Sequence, residues 1–175
     1  CYFPEALQLW AKDYRTGEPL PQEYMEALQK AKKFMEGWAT VRQISFGLLD
    51  LAWHGSDPQG KSIEEIEQGV FAQTSFTPKV LGTAMSTSFA HIFQGGYAAG
   101  YYSYKWAEVL DADAFEAFLE SGGLDTETAL RFEQYILSQG GTQKAEELYR
   151  KFRGRDPKPE ALLRRAGLLD ELVSR

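Results

Sequence analysis

The chain has 175 residues with a net charge of −6 at neutral pH, and 43% of its positions are apolar, which predicts one globular domain rather than a disordered chain. Its pI near 5.0 gives it no electrostatic reason to bind nucleic acid or an anionic membrane. The one cysteine, Cys1, cannot form an internal disulfide, and the N-terminus lacks the layout of a secretory signal, so we expect a reducing, cytoplasmic compartment.

The first third of the sequence has the spacing of amphipathic helices. Apolar residues recur every three or four positions after Pro4 and again after Pro21, and proline suits the start of a helix. A third stretch, residues 38–53, is apolar nearly all round, which is typical of a helix in the middle of a core. The face that the second helix is predicted to bury comprises Tyr24, Leu28, Ala31 and Met35.

The rest of the chain alternates loop signals with further helical patterns. After the loop at 55–60, Ser62 and Glu65 have the form of a capping box that begins a helix. Further helices are predicted at about 97–119, after Asp125, around 148–152 and at 161–166, with glycines at their ends. No alternating strand pattern stands out, so the predicted fold class is all-α, built from multiple helices.

One segment departs from the charge pattern of the chain. Residues 68–107 contain no acid, and residues 80–104 contain no charged residue, although 25% of the chain is charged. A membrane span is excluded, because the segment is rich in hydroxyl groups that hydrocarbon would leave without partners and in glycines that weaken a helix. We therefore expect this segment to be buried in protein or to line a cleft.

Three tyrosines in this segment are candidate functional residues. On a helix, Tyr97, Tyr101 and Tyr104 would fall within about 60° of one another, opposite an apolar stripe that explains stability by itself. A phenol is a neutral donor that can stabilise a developing oxyanion, and the Gly95-Gly96 pair would let the backbone approach an extended substrate closely. Taken alone, the pattern also fits core tyrosines that donate to neighbouring carbonyls.

The histidines limit the metal chemistry of the chain. His54 and His91 are the only two, and no H-E-x-x-H motif occurs, so we expect no zinc site of that type within residues 1–175. A neutral His91 ring in the acid-free segment can donate to a substrate carbonyl, and a core histidine is the alternative. His54 is interpreted as a helix C-terminal residue of little functional weight.

Residues 89–108 strongly resemble a signature segment of the thimet oligopeptidase family of zinc metallopeptidases. The spacing from His91 to Tyr97 is similar to that of the bacterial branch, which comprises oligopeptidase A and peptidyl-dipeptidase Dcp. Further segments that resemble the family lie at residues 14–21, 39–50, 111–115, 136–141, 148–155 and 162–168.

The resemblance implies a role for each candidate residue. The implied substrate-binding residues are His91, Gly95, Gly96 and Tyr97, and the implied catalytic residues are Tyr101 and Tyr104. In the family, the H-E-x-x-H motif and a further glutamate ligand precede everything present in this sequence. We therefore expect residues 1–175, which begin at Cys1 without an initiator Met, to be the C-terminal portion of a larger helical catalytic region.

Two functions stay open at this point. The first is part of a zinc peptidase that hydrolyses short oligopeptides, of either the oligopeptidase A or the dipeptidyl carboxypeptidase type. On that interpretation the chain alone binds no zinc, is inactive, and self-associates through apolar surface that its missing N-terminal part would cover. The second is a free-standing all-α module that binds peptides or another partner without catalysis.

Overall fold

A computed structural model describes residues 3–55 and 57–169 of the chain. Within these residues there are nine α-helices and no β-strand, only an isolated bridge between Lys12 and Pro19, so the all-α prediction is confirmed. Cys1, on which the expected compartment depends, lies outside the described residues. In the described part of the chain, no helix combines the length and the apolar content that a membrane span requires.

The connections between consecutive helices differ in length, and the longest of them precedes α5. Their bounds are α1 Pro4–Trp10, α2 Gln22–Lys33, α3 Glu36–His54, α4 Ile63–Phe71, α5 Ala90–Phe93, α6 Ser103–Glu120, α7 Thr126–Phe132, α8 Ala145–Arg153 and α9 Glu160–Ala166. A 3₁₀ turn at Ser86–Ser88 precedes α5, and a π-helical segment at Glu133–Leu137 follows α7.

The chain divides into two compact units, named here for their place in the sequence. The central unit is Gly37–Ala107, and the terminal unit combines Cys1–Glu36 with Glu108–Arg175. All six candidate functional residues lie in the central unit. That residues 1–175 together form one portion of a larger catalytic region stays a prediction.

The core of the central unit is built by α3, α4 and the segment around α5. It contains Phe46, Leu49, Ile66, Phe89, Ile92 and Tyr101, each at most 9% exposed. The predicted capping box at the start of α4 is confirmed: Ser62 Oγ accepts from the Glu65 backbone N–H at 3.2 Å, and Glu65 Oε2 accepts from the Ser62 N–H at 2.7 Å.

The long connection from α4 to α5 is fastened by a buried carboxylate. Glu67 is 1% exposed, accepts from the Ser86 backbone N–H at 2.7 Å and pairs with Lys79 at 2.9 Å. Burial works against ionisation, but these two donors hold the pKa of Glu67 below its usual range. Trp53 Nε1 also donates to Ser86 Oγ at 3.0 Å. The end of this connection, just before α5, is therefore held in place at Ser86.

The terminal unit is organised around Asp113 on α6, whose side chain is fully buried. Arg155 donates to both of its carboxylate oxygens at 2.8 and 2.9 Å, and the Tyr149 hydroxyl donates to one of them at 2.6 Å. Burial raises and these donors lower the pKa of Asp113, and the net result lies below its usual range. The predicted ends of α8 and α9 are confirmed, because Gly154 and Gly167 both have left-handed φ, at 72° and 69°.

The predicted inner face of α2 is wrong. The helix buries Met25, whereas Tyr24 is 56% exposed and Met35, just beyond the helix, is 53% exposed. Tyr24 and Met25 are consecutive apolar residues about 100° apart on the helix, so periodicity alone does not decide which of the two is covered. Contacts with the rest of the terminal unit decide which of the two faces is covered.

Candidate functional site

The candidate site lies on a segment that is folded differently from its sequence pattern. A helix starting at Tyr97 is predicted, but α6 begins only at Ser103, and residues 98–102 form turns. The decisive feature is Ala99, a non-glycine residue with a left-handed φ of 55°. The left-handed conformation costs an L-residue about 1–2 kcal/mol and cannot continue a right-handed helix. The three tyrosines therefore do not form one stripe on one helix.

The side chain of Asp50 on α3 stabilises this turn. Its Oδ1 accepts from the Ala99 N–H at 2.9 Å and its Oδ2 accepts from the Tyr101 N–H at 2.8 Å. Hydrogen bonds to a charged group contribute about 1.5–3 kcal/mol each, so the two together exceed the cost of the left-handed residue. A third donor, His54 Nδ1, lies 2.8 Å from Oδ1 and 3.0 Å from the Asp50 backbone carbonyl.

Asp50 was not predicted as a functional residue. A signal for it exists in the sequence, because it is the one acidic residue in the mostly apolar second half of α3 and would be buried there at a cost unless it had partners. His54 is the last residue of α3, as predicted, and its ring contacts Asp50 rather than any of the candidate residues.

Four of the predicted side chains come together, and we call them the His/Tyr cluster: His91, Tyr97, Tyr101 and Tyr104. The His91 ring lies 6.0, 5.9 and 6.3 Å from the rings of the three tyrosines, in that order. Tyr97 and Tyr104 stack at 4.9 Å, and Tyr101 meets Tyr104 edge-on at 5.1 Å. The turn thus brings together the rings that the helical pattern predicted to be neighbours.

Within the cluster, Tyr101 is the buried member. It is 9% exposed, its ring lies 4.9 Å from that of Phe89, and its hydroxyl donates to Gln43 Oε1 at 3.3 Å. Burial raises the pKa of Tyr101, and the charge of Arg42 opposes this only in part. The phenol is therefore a neutral donor that is occupied by a partner inside the central unit.

Tyr104 is more accessible than Tyr101, and 40% of the residue is exposed. The hydrogen bond with Tyr97 raises the pKa of Tyr104 above its usual value near 10, with a smaller contribution from partial burial. At neutral pH this hydroxyl keeps its proton. It can therefore donate to an oxygen that develops negative charge.

The two glycines close the turn between His91 and Tyr97. A Cβ on Gly95 would lie 2.9 Å from His91 Cα and 3.0 Å from His91 O, while Gly96 has a left-handed φ of 77°. The Tyr97 N–H donates to His91 O at 3.2 Å. Both glycines are therefore required by the close approach and the backbone direction of this turn. A contact of either with substrate stays a prediction.

The residues that the structure describes do not fit a zinc ion. Among residues 3–55 and 57–169, no group of three or more His, Cys, Asp or Glu side chains is placed so that it could hold a metal. His91 is surrounded by phenols, which lack the ligand chemistry of a zinc site, and His54 Nδ1 faces Asp50.

The sequence matches the family described as Peptidase family M3 over residues 1–168. The chain belongs to this family. It is 46% identical to an organellar oligopeptidase A, chloroplastic/mitochondrial, of Arabidopsis thaliana over 97% of the chain, 41% identical to oligopeptidase A of Escherichia coli over 96%, and 35% identical to dipeptidyl carboxypeptidase of Escherichia coli over 94%.

These alignments cover 22%, 25% and 25% of the relatives, so the chain spans about a quarter of the length of the curated proteins it matches. The resemblance to the oligopeptidase A and peptidyl-dipeptidase Dcp branch, inferred from the sequence motifs, is confirmed. The family M3 match runs through the whole His/Tyr cluster.

Proposed function

We propose that the protein containing this chain is a zinc-dependent peptidase that hydrolyses short oligopeptides. Family membership and the names of the relatives support the reaction class. The observation that carries the proposal for this chain is the His/Tyr cluster, in which an exposed imidazole and an accessible, protonated phenol lie side by side. Such donors suit the carbonyl oxygens of a peptide, which carry only acceptor lone pairs.

The cluster is proposed to contact the peptide in two ways. His91 and Tyr97 would donate to backbone carbonyls of the substrate, next to the turn that Gly95 and Gly96 close. Tyr104 would donate to the oxygen of the scissile carbonyl as it becomes an oxyanion, a role worth about 2.7–4 kcal/mol for one donor.

Tyr101 is proposed as a second donor to the same oxygen. Its hydroxyl would have to exchange Gln43, 3.3 Å away, for the substrate. Because its ring is buried against Phe89, the exchange involves a rotation of the hydroxyl hydrogen and a small shift of the ring rather than a new position for the side chain.

The cofactor is proposed to be held by residues of the same polypeptide that lie N-terminal to residues 1–175. We therefore assign no step of the reaction to zinc from this chain. That N-terminal part and short peptides are the proposed partners of the chain. In the absence of the N-terminal part, we propose that residues 1–175 self-associate. Neither nucleic acid nor membrane is proposed as a partner.

The oligopeptidase A type is favoured over the dipeptidyl carboxypeptidase type. Identity to the oligopeptidase A relatives is 41–46%, against 35–36% for the dipeptidyl carboxypeptidases.

The proposed location of the protein is cytoplasmic. The relatives include an organellar and a probable cytosolic oligopeptidase A of one plant, so this proposal rests on the low cysteine content alone.

The test is the Tyr104→Phe variant of the full-length protein, assayed on a short internally quenched peptide. We expect kcat to fall about 10²- to 10³-fold, since one oxyanion donor is removed. The matched control is Tyr102→Phe, which removes the phenol of a neighbouring residue that is 59% exposed. The free energy of unfolding of both variants should lie within about 0.5 kcal/mol of that of the parent, as is usual for substitutions of exposed groups.

Two results would count against the proposal. If the full-length protein binds peptides but cleaves none, the function is that of a binding module. If Tyr104→Phe and Tyr102→Phe have the same small effect, the protein is a peptidase in which the exposed phenol of the cluster has no catalytic role.

A further inference from the structure

The Asp50 carboxylate joins α3 to the turn that carries two of the tyrosines. Its side chain has no exposed surface, and its two oxygens accept from two backbone N–H groups and one imidazole. From this arrangement we infer that Asp50 is a positioning residue for the His/Tyr cluster, one that acts on the reaction through the backbone of Ala99 and Tyr101. The inference rests on the proposed peptidase function.

The two hydrogen bonds from backbone N–H groups to Asp50 determine the position of the turn that carries the tyrosines. Oδ1 holds the N–H of Ala99, the residue with the left-handed φ, and Oδ2 holds the N–H of Tyr101. The Tyr104 N–H in turn donates to the Tyr101 carbonyl at 3.2 Å as α6 begins. A shift of the turn therefore moves the Tyr101 ring and the accessible Tyr104 hydroxyl together.

His54 fixes the orientation of the carboxylate. Both groups that face its Nδ1 are acceptors, the Asp50 side chain and the Asp50 backbone carbonyl, so Nδ1 carries the hydrogen and donates. The same ring lies 5.7 Å from that of Phe93 on α5, the helix that contains His91. The Asp50–His54 pair thus contacts the two segments that meet in the cluster.

A buried carboxylate with three donors also stabilises the fold, so the test has to separate positioning from stability. Asp50→Asn is suited to this because the amide keeps the size of the side chain but offers one acceptor oxygen and one donor group. One of the two backbone N–H groups would then face a donor, and the turn would lose that bond. The ring of every member of the cluster is left unchanged.

The matched control for stability is Asp113→Asn in the terminal unit. Asp113 is also fully buried and also accepts from three donor atoms within 2.9 Å. In the full-length protein, kinetics are measured per folded molecule at a temperature where both variants are folded. We expect Asp50→Asn to lower kcat by about tenfold or more with KM changed less than about threefold, and Asp113→Asn to leave both within about twofold.

A double-mutant cycle with Tyr104→Phe tests the route by which Asp50 acts. If Asp50 acts by placing the phenols of Tyr101 and Tyr104, Asp50→Asn should lower kcat by a smaller factor in the Tyr104→Phe background than in the parent, because one of the two placed donors is gone. Full additivity of the two substitutions, or an equal loss of kcat in Asp113→Asn, would overturn the inference.

Amide hydrogen exchange of the same full-length variants tests the tether without reference to activity. Asp50→Asn should speed exchange at Ala99 and Tyr101 at least tenfold more than at residues of α4, whereas unchanged exchange at both amides overturns the inference. A parent protein without peptidase activity overturns the proposed function and, with it, the inference. A parent that is active, loses activity in Tyr104→Phe and keeps its kcat in Asp50→Asn overturns the inference alone.

Discussion

Gly95 is the position where a single methyl group should disturb the His/Tyr cluster most directly. A Cβ there would lie 2.9 Å from His91 Cα and 3.0 Å from His91 O. Both are backbone atoms, so no side-chain rotation relieves the overlap. Ordinary van der Waals separations begin at 3.4 Å, and the distance to His91 Cα falls short of that by 3.4 − 2.9 = 0.5 Å.

The Gly95→Ala variant must therefore open the turn between His91 and Tyr97. Three backbone hydrogen bonds close that turn, from Gln94 and Gly95 to Ala90 O at 2.7 and 3.1 Å and from Tyr97 to His91 O at 3.2 Å. Overpacking of this kind costs about 1–3 kcal/mol of stability. A displacement near 1 Å can lower a rate about 10²-fold, so for half that displacement we expect kcat/KM to fall about tenfold.

The assay is hydrolysis of a quenched peptide by the full-length protein, normalised to the folded fraction measured by circular dichroism. Gly100→Ala is the matched control in the same segment. A Cβ on Gly100 would lie 3.6 Å from Tyr97 O, an ordinary separation, and its φ is not in the left-handed range. We expect this control to keep kcat/KM within about threefold and to be as stable as the parent or slightly more so.

If Gly95→Ala keeps both the activity and the stability of Gly100→Ala, the turn is not rigid and the reasoning from its close approach is wrong. A loss of stability with full activity per folded molecule would show that the turn supports the fold but does not place His91 for the reaction.

Two further predictions concern stability and assembly. Asp113→Asn should lower the free energy of unfolding by about 3 kcal/mol in urea denaturation, since it leaves Arg155 facing a neutral partner, and a loss below about 1 kcal/mol would contradict this. Because the pKa of Asp113 lies below its ordinary 3.8, its contribution is present above that pH and is lost as the pH falls further, so the stability of the parent and the variant should converge in acid. The 175-residue chain by itself should self-associate, which sedimentation velocity would show as a coefficient that rises with concentration, whereas a constant monomer value would contradict it.

Features set by neighbouring residues could be predicted from the sequence. The capping box of Ser62 and Glu65 and the glycines that end α8 and α9 depend on chemistry within one turn of helix, and all are found as predicted. The prediction for α3 is only half right: it is a helix that buries Phe46 and Leu49 in the core of the central unit, but it does not lie in the middle of a core, because Ile44, Leu48 and Leu51 are 40–44% exposed.

The start of α6 could not be predicted in this way. The spacing of Tyr97, Tyr101 and Tyr104 fits a helix, and nothing close in the sequence argues against one. What decides the conformation is the carboxylate of Asp50, which bonds to residues 49 and 51 positions later. The pattern nevertheless predicted the right neighbours, because a tight turn and a helix both bring residues three or four apart together.

The exposure of each tyrosine could not be predicted from the sequence either. Tyr101 and Tyr104 have the same chemistry and lie three residues apart, yet one is 9% and the other 40% exposed. The difference arises from the rings that cover Tyr101, among them Phe46 on α3, whose ring lies 6.0 Å away. Such a distinction depends on packing between elements, which local periodicity does not contain.

The bond between Asp50 and the tyrosine turn also sets an order of events during synthesis. Asp50 is synthesised 49 and 51 residues before Ala99 and Tyr101, so the turn can close only after the acceptor has been made. Gln43, Asp50, Phe89 and His91, which contact the turn and its tyrosines, all precede residue 108. The residues of the cluster and those that hold its turn are therefore all synthesised before α7, α8 and α9.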